Sequence, residues 1–234
     1  MMLTRSIINR IRYVLEDLFP PFLRDSGLFY ALMHVVLRGR TRHFVSFRPR
    51  SPYMSAREYD EFYREYTPLL DKTDLNEACI ARIRREVEGE RALDVGCGRG
   101  YFAGLLASET ATRITAVDFQ VAPALRGRYP NVKFVQGTIE RLPFRDAQFD
   151  TVICAHTLEH ILGFENAVAE LRRVCAKKLI LVVPREREYK YSFNLHVHFF
   201  PYEHSLLNRL HPLPPVHACE VVDGDLLYIE DRAL

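Results

Sequence analysis

The stretch Ala92-Leu93-Asp94-Val95-Gly96-Cys97-Gly98-Arg99-Gly100-Tyr101-Phe102 decides the fold. Its first four residues read as a short apolar strand, and Tyr101 to Ser108 read as a helix. Between them stand glycines at 96, 98 and 100. A loop of this kind brings backbone N–H groups at a helix N-terminus close to a ligand. Glycine is needed in it where a Cβ would collide or where φ is positive. In open α/β sheets such a loop follows the carboxyl end of a parallel strand, where ligands bind.

Outward from that loop the rhythm is regular from residue 73. Thr73 or Asp74 is placed to cap a helix whose apolar face is Leu75, Cys79, Ile80, Ile83 and Val87, ended by Gly89. After the helix at 101–108, strands are expected at 113–117, 132–135, 149–155 and 179–183, with helices at 121–128 and 165–175. Strands alternating with helices predict a mostly parallel sheet covered on both faces, and their near-continuous apolar character fits that burial. The end differs. Val216 to Val222, Asp223-Gly224 and Asp225 to Ile229 read as an antiparallel β-hairpin with an Asp-Gly turn.

Ahead of this unit lies a helical extension. Residues 3–19 carry an amphipathic helical pattern that Pro20-Pro21 ends. A second, apolar helix is expected over 26–37, irregular chain over Phe44 to Pro52, and a helix over Ser55 to Tyr66. The last bears the stripe Tyr59, Phe62, Tyr63 and Tyr66, which reads as core packing or as a lid over a ligand. The chain is therefore divided into an extension or lid, 1–72, and a main domain, 73–234, with an insertion over about 185–215.

Spacing selects the ligand. A dinucleotide fingerprint is GxGxxG, whereas the third glycine here falls one residue early. Asp94, two before the first glycine, suits a cationic group better than a pyrophosphate. S-adenosylmethionine carries an ammonium and a sulfonium and no phosphate, so the charge logic favours it. Asp118 ends the next strand, where an acid can accept both ribose hydroxyls, and Phe119 can pack on an adenine.

At these residues the chain resembles the class I S-adenosylmethionine-dependent methyltransferases, in the small-molecule group (methyltransferase type 11-like) that includes ubiquinone-biosynthesis O-methyltransferases. The carriers are ALDVGCGRGYF (92–102), ITAVDF (114–119), VQGTIERLPFRDAQFDTVICAHTLEHI (135–161) and ELRRV (170–174). The resemblance covers about 75–183. It implies a Rossmann-like sheet of seven strands ending in a hairpin. It implies a cofactor site in which Asp94, Gly96, Cys97 and Gly98 surround the methionine part and Asp118 holds the ribose. Phe119, Thr138 and Ile139 then lie at the adenine, and Cys154, Ala155 and His156 pass close to the sulfonium. Tyr63 is taken as a cofactor contact from the lid. Two departures stand out. The family usually has Asp at 138, where Thr138 offers a hydroxyl, and the Lys-Pro-Gly-Gly turn usual after position 174 is replaced by Ala176-Lys177-Lys178.

Histidines supply the candidate proton acceptors. His156-Thr157-Leu158-Glu159-His160 matches HxxEH, seen also in zinc peptidases. On a helix its three side chains would share a face. Its place after a strand of a methyltransferase-like sheet argues for a structural or substrate-contacting role, and no metal is assigned. Tyr191 to Phe199 alternates apolar residues with Ser192, Asn194, His196 and His198, the period-two pattern of an extended segment. Histidine, with an ordinary pKa near 6.5, serves as a base at neutral pH. His198, His196 and His160 are the catalytic candidates, with His156 behind them.

Bulk properties bound the rest. The chain has 234 residues, 48% hydrophobic and 26% charged, with net charge +2. That composition is globular and makes no case for a nucleic-acid partner. Five cysteines without a CxxC fit a reduced compartment. Residues 1–50 hold nine Arg against Glu16, Asp17 and Asp25, a local +6. No signal core is evident, and Leu28 to Leu37 is too short to span a bilayer. The expectation is a cytoplasmic enzyme acting on O or N of a small polar acceptor, anionic or sugar- or lipid-linked. Its basic extension is able to touch an anionic membrane face. The alternative is a non-catalytic relative, for which Thr138 speaks; an NAD-dependent oxidoreductase is disfavoured by the glycine spacing.

Overall fold

The computed structural model describes residues 20–37, 39, 41–64 and 73–232. The amphipathic pattern at 3–19 and Tyr66 lie outside the described residues. The chain divides into two compact units, Met1–Asp71 with Glu186–Phe199, and Lys72–Arg185 with Phe200–Leu234.

The second unit is built on a seven-stranded sheet. Its strands are β1 (Arg91–Val95), β2 (Arg113–Asp118), β3 (Val132–Gln136), β4 (Phe149–Ala155), β5 (Cys175–Pro184), β6 (His217–Val222) and β7 (Asp225–Asp231), in the order β3-β2-β1-β4-β5-β7-β6. β1 to β5 are parallel, and β7 pairs antiparallel with both β5 and β6. The hairpin turn takes positive φ at both central residues, Asp223 at +43° and Gly224 at +84°. That is the turn whose twist matches the flanking strands.

Side-chain alternation along β1 divides the core. Leu93 and Val95 join one buried cluster with Val152, Leu179 and Leu181, closed by the helix Phe164–Val174 through Phe164, Ala167, Val168 and Leu171. Ala92 joins the other, with Ile114, Ile153 and Ile180, closed by the helices Glu77–Glu86 and Tyr101–Glu109 through Ile80, Ile83, Phe102 and Leu106. Each such aliphatic side chain contributes about 1.5–3 kcal/mol on burial. The cap of Glu77–Glu86 is Asn76, which accepts from the Cys79 N–H at 2.7 Å, in place of Thr73 or Asp74. A helix at Glu203–Arg209 had no clear periodic signal in the sequence.

The first unit holds short helices at Pro21–Arg24, Gly27–Val36, Thr41–Arg50 and Ala56–Arg64. Phe44 to Pro52, expected to be irregular, is helical as far as Arg50. Phe44 and Phe47, three apart, are buried with Leu195, and Tyr59, Phe62 and Tyr63 pack against them. That burial outweighs Pro49, which stands in the last turn where little of the helix remains to be broken. The period-two stretch 191–199 forms no strand. Ser192 and Leu195, of opposite parity, are both buried, so the alternation does not describe its faces. The proposed insertion 185–215 is also not one piece: 186–199 belongs to the first unit and 200–215 to the second.

Candidate functional site

Register aligns the carboxyl edge of the parallel strands. Val95 pairs with both Val117 and Cys154, and Asp118 pairs with Gln136. The loops after β1, β2, β3 and β4 therefore leave the sheet at one level. The chain order turns outward in both directions from β1, and ligands bind at such a switch point.

Three glycines shape the loop after β1. Gly96 has φ +76°, and a Cβ on it would lie 2.0 Å from Thr157 Oγ1. Gly96 and Cys97 both donate N–H to the Val117 carbonyl, at 2.8 and 3.2 Å, which pins the loop to β2. Gly98 has φ +49° and no atom within 4 Å of where a Cβ would stand. Here, at the exposed tip, the glycine leaves open room beside the backbone N–H.

Two carboxylates stand beside this loop. Asp118 accepts from the Gly98 N–H at 2.8 Å and from the Gln120 N–H at 3.0 Å. Burial raises its pKa, and those backbone donors pull it back. Asp94 differs. It is buried, 4% exposed, and its Oδ2 has no hydrogen-bond partner among the described residues. Burial, and then the charge of Asp118, raises its pKa to about 7. The Cys97 thiol is pushed far above its ordinary range by burial and by the same two carboxylates, so it stays protonated. A buried carboxylate without a partner is costly. A cation arriving beside it would remove that cost.

The remaining candidates of this unit line the same edge. The Gly137 N–H donates to the Asp118 carbonyl at 3.0 Å and the Gln136 amide to the Phe119 carbonyl at 3.1 Å, joining the ends of β2 and β3. Beyond them Thr138 is exposed and Ile139 buried. Ala155 closes β4. His156 follows at φ +50°, and its side chain turns into the protein, with Nδ1 3.4 Å from Glu159 Oε1 and Nε2 3.3 Å from Asp225 Oδ2. Asn76 donates to the same Asp225 oxygen at 2.9 Å. The HxxEH stretch is not an α-helix: only Leu158–His160 turns, as a single 3-10 turn. His160 Nε2 stands 3.9 Å from Glu159 Oε1.

Tyr63, His196 and His198 belong to the first unit. Tyr63 donates its hydroxyl to the Leu195 carbonyl at 3.0 Å. His196 Nδ1 lies 2.7 Å from Oε2 of Glu186, whose other oxygen accepts from the Asn194 amide at 2.7 Å. Sequence reasoning missed Glu186, Thr157 and Asp225. Each is one charged or polar residue outside any periodic pattern, and only folding gives it a partner.

Residues 93–183 match the family model for a methyltransferase domain. That stretch runs from β1 through β5, the parallel part of the sheet. The chain is 29% identical over 160 residues to a probable S-adenosylmethionine-dependent methyltransferase of Mycolicibacterium smegmatis, covering 68% of this chain and 56% of that one. A possible histamine N-methyltransferase of Thermotoga maritima has the same fold, with TM-score 0.54 and 21% identity over 66% of this chain and 88% of that one. So does a Burkholderia thailandensis 1,6-didemethyltoxoflavin-N1-methyltransferase solved with S-adenosylhomocysteine, with TM-score 0.51 and 19% identity over 67% and 80%. The chain spans 37 to 56% of the length of the first curated relatives it matches. The residues at this edge of the sheet fit the cofactor of the relatives the chain matches, S-adenosylmethionine. The unanswered Asp94 carboxylate suits a cation, Asp118 suits a pair of hydroxyls, and the loop at Gly98 leaves space for both.

Proposed function

We propose that the protein transfers a methyl group from S-adenosylmethionine to an O or N of a small polar acceptor. The observation that carries this reading is the buried, unpartnered Oδ2 of Asp94 beside the glycine loop. When bound, the cofactor supplies an electrophilic methyl on a sulfonium. In this reading Asp94 takes the cofactor's ammonium, and Asp118, already oriented by Gly98 and Gln120, accepts the ribose hydroxyls. Phe119, Thr138 and Ile139 flank the adenine. The backbone at Ala155 and His156 runs past the sulfur, while the His156 side chain serves the fold. Methyl transfer is a direct displacement, so the remaining work is alignment and removal of the acceptor's proton.

His160, His196 and His198 are the candidates for that proton. His196 ranks first, because its Nδ1 lies 2.7 Å from a Glu186 oxygen, and in the tautomer that places the proton on Nδ1 the other nitrogen, Nε2, is the base. The acceptor is read as polar and anionic or sugar- or lipid-linked from the basic residues of the extension.

Calorimetry with S-adenosylhomocysteine and with NAD tests the reading. The expected result is binding of the former only, weakened about 10- to 100-fold by Asp118→Ala, the loss of charge-assisted hydrogen bonds. Binding of neither ligand would sink it. Turnover unchanged in His196→Ala would remove that residue as the base.

A further inference from the structure

The helix Gly27–Val36 is apolar on every side, and only half of it is covered. Ser26 caps it by accepting from the Phe29 N–H at 3.2 Å. Within its own unit Phe29 is buried and its ring meets Phe193 at 6.1 Å, while Tyr30 meets Tyr191 at 5.2 Å. The opposite side faces solvent. Leu28 is 80% exposed, Leu32 59%, Val35 75% and Val36 61%, at spacings of four, seven and eight along one face, with Ala31 exposed between them. Phe22, on the preceding turn of helix Pro21–Arg24, is 75% exposed. Single exposed aliphatics are ordinary, but a contiguous face of them marks an interaction surface. A helix apolar all round belongs against another apolar phase on both sides.

Charge says what that phase is. From Ser26 to Arg57 the chain contains Arg38, Arg40, Arg42, Arg48, Arg50 and Arg57 and no acidic residue. Three of these arginines follow the helix within six residues of Val36, and Arg42 and Arg50 are exposed. The exposed helix face offers no hydrogen-bonding side chain apart from His34 at its margin, and the aromatic ring beside it, Phe22, stands out in solvent and sits in no pocket. Protein interfaces concentrate their energy in Tyr, Trp and Arg seated in pockets. A fluid bilayer asks for none of that, only for apolar area beside basic residues. No helix among the described residues is long and apolar enough to cross a membrane, so the contact is with one leaflet.

We infer that the face Leu28, Leu32, Val35 and Val36 lays the helix Gly27–Val36 onto an anionic lipid surface, which the net positive charge of the following segment also attracts. This goes beyond the methyl-transfer reading and does not depend on it.

The test uses the full chain with vesicles of phosphatidylcholine, with and without phosphatidylglycerol. Co-sedimentation is expected with the anionic vesicles, to weaken in high salt, and to fall about tenfold or more in Leu28→Ser/Leu32→Ser/Val35→Ser. The chain has no tryptophan, so Val35→Trp provides a single reporter. Its emission is expected to shift to the blue on anionic vesicles and to be quenched by brominated acyl chains. No vesicle binding, or an unshifted Val35→Trp emission, would overturn the inference. Vesicle binding that survives the triple serine variant would overturn it too, and a fall in that variant's melting temperature would then assign the face to the chain's own residues 3–19. A dimer dissolved by that variant, without lipid binding, would make the face a contact between copies and equally end the lipid reading.

Discussion

At the end of β1, Asp94 is buried with an oxygen that has no hydrogen-bond partner among the described residues; one strand away, past the end of β4, the half-buried His156 has a carboxylate on each side. Val95 and Cys154 are register partners, so the two situations arise at the same level of the same sheet. The difference separates structure from site. His156 stands within ion-pair distance of Glu159 and Asp225, and Asn76 donates to the same Asp225 oxygen. Asp94 is held by the same scaffold with a buried oxygen whose charged form costs stability, and in the proposed function a cation offsets that cost. The contrast is in charge: Asp94 has the second carboxylate of Asp118 near it, which raises its pKa further, whereas Glu159 and Asp225 have the His156 ring between them.

The largest expected effect is at the point where the two regions touch. Gly96→Ala puts a Cβ onto Thr157 Oγ1 at a positive φ, and strain and overpacking together cost about 3–4 kcal/mol. Thermal unfolding is expected to show that loss, and Thr157→Ala in the same chain to recover only the overpacking part. Recovery of the whole would mean that φ at 96 carries no strain.

Next in size is His156→Ala, which leaves Glu159 and Asp225 buried without the ring between them. It is expected to destabilise the fold by about 3 kcal/mol while S-adenosylhomocysteine affinity, measured by calorimetry, changes only a few-fold. An affinity loss that exceeds the stability loss would move His156 into the cofactor site and erase the contrast with Asp94.

Asp94→Asn has the opposite sign. With a pKa of about 7 when folded against an ordinary 3.8, the folded chain keeps a proton that the unfolded chain releases between about pH 4 and pH 7. Stability of the ligand-free protein therefore falls as pH rises through that window. Asparagine removes the dependence. At pH 8 the variant is expected to be more stable by about 1–3 kcal/mol, and to have lost cofactor binding. Wild-type affinity, which needs the charged carboxylate, is expected to weaken below about pH 7. Melting curves of both chains from pH 5 to 8 check the sign; a wild type that gains stability on going up in pH would contradict it.

Local patterning along the chain determines most of the second unit. Buried parallel strands are apolar for their whole length, so β1, β2, β4 and the hairpin are legible to within about two residues, as is the glycine loop with Asp94 and Asp118 around it. What depends on distant partners is not legible. Asn76 replaces Thr73 or Asp74 as a cap because Asp225 and the turn carbonyls hold its amide. Thr41–Arg50 is helical because Phe44 and Phe47 find Leu195 about 150 residues later. His196 meets Glu186 only because the segment folds as irregular chain instead of a strand. Spacing within the sequence determines the glycine loop and the strand ends around it, since backbone conformation and strand burial are local properties. Tertiary structure alone decides which buried charges are answered and which helix face stays bare, because both depend on groups brought together from far along the chain.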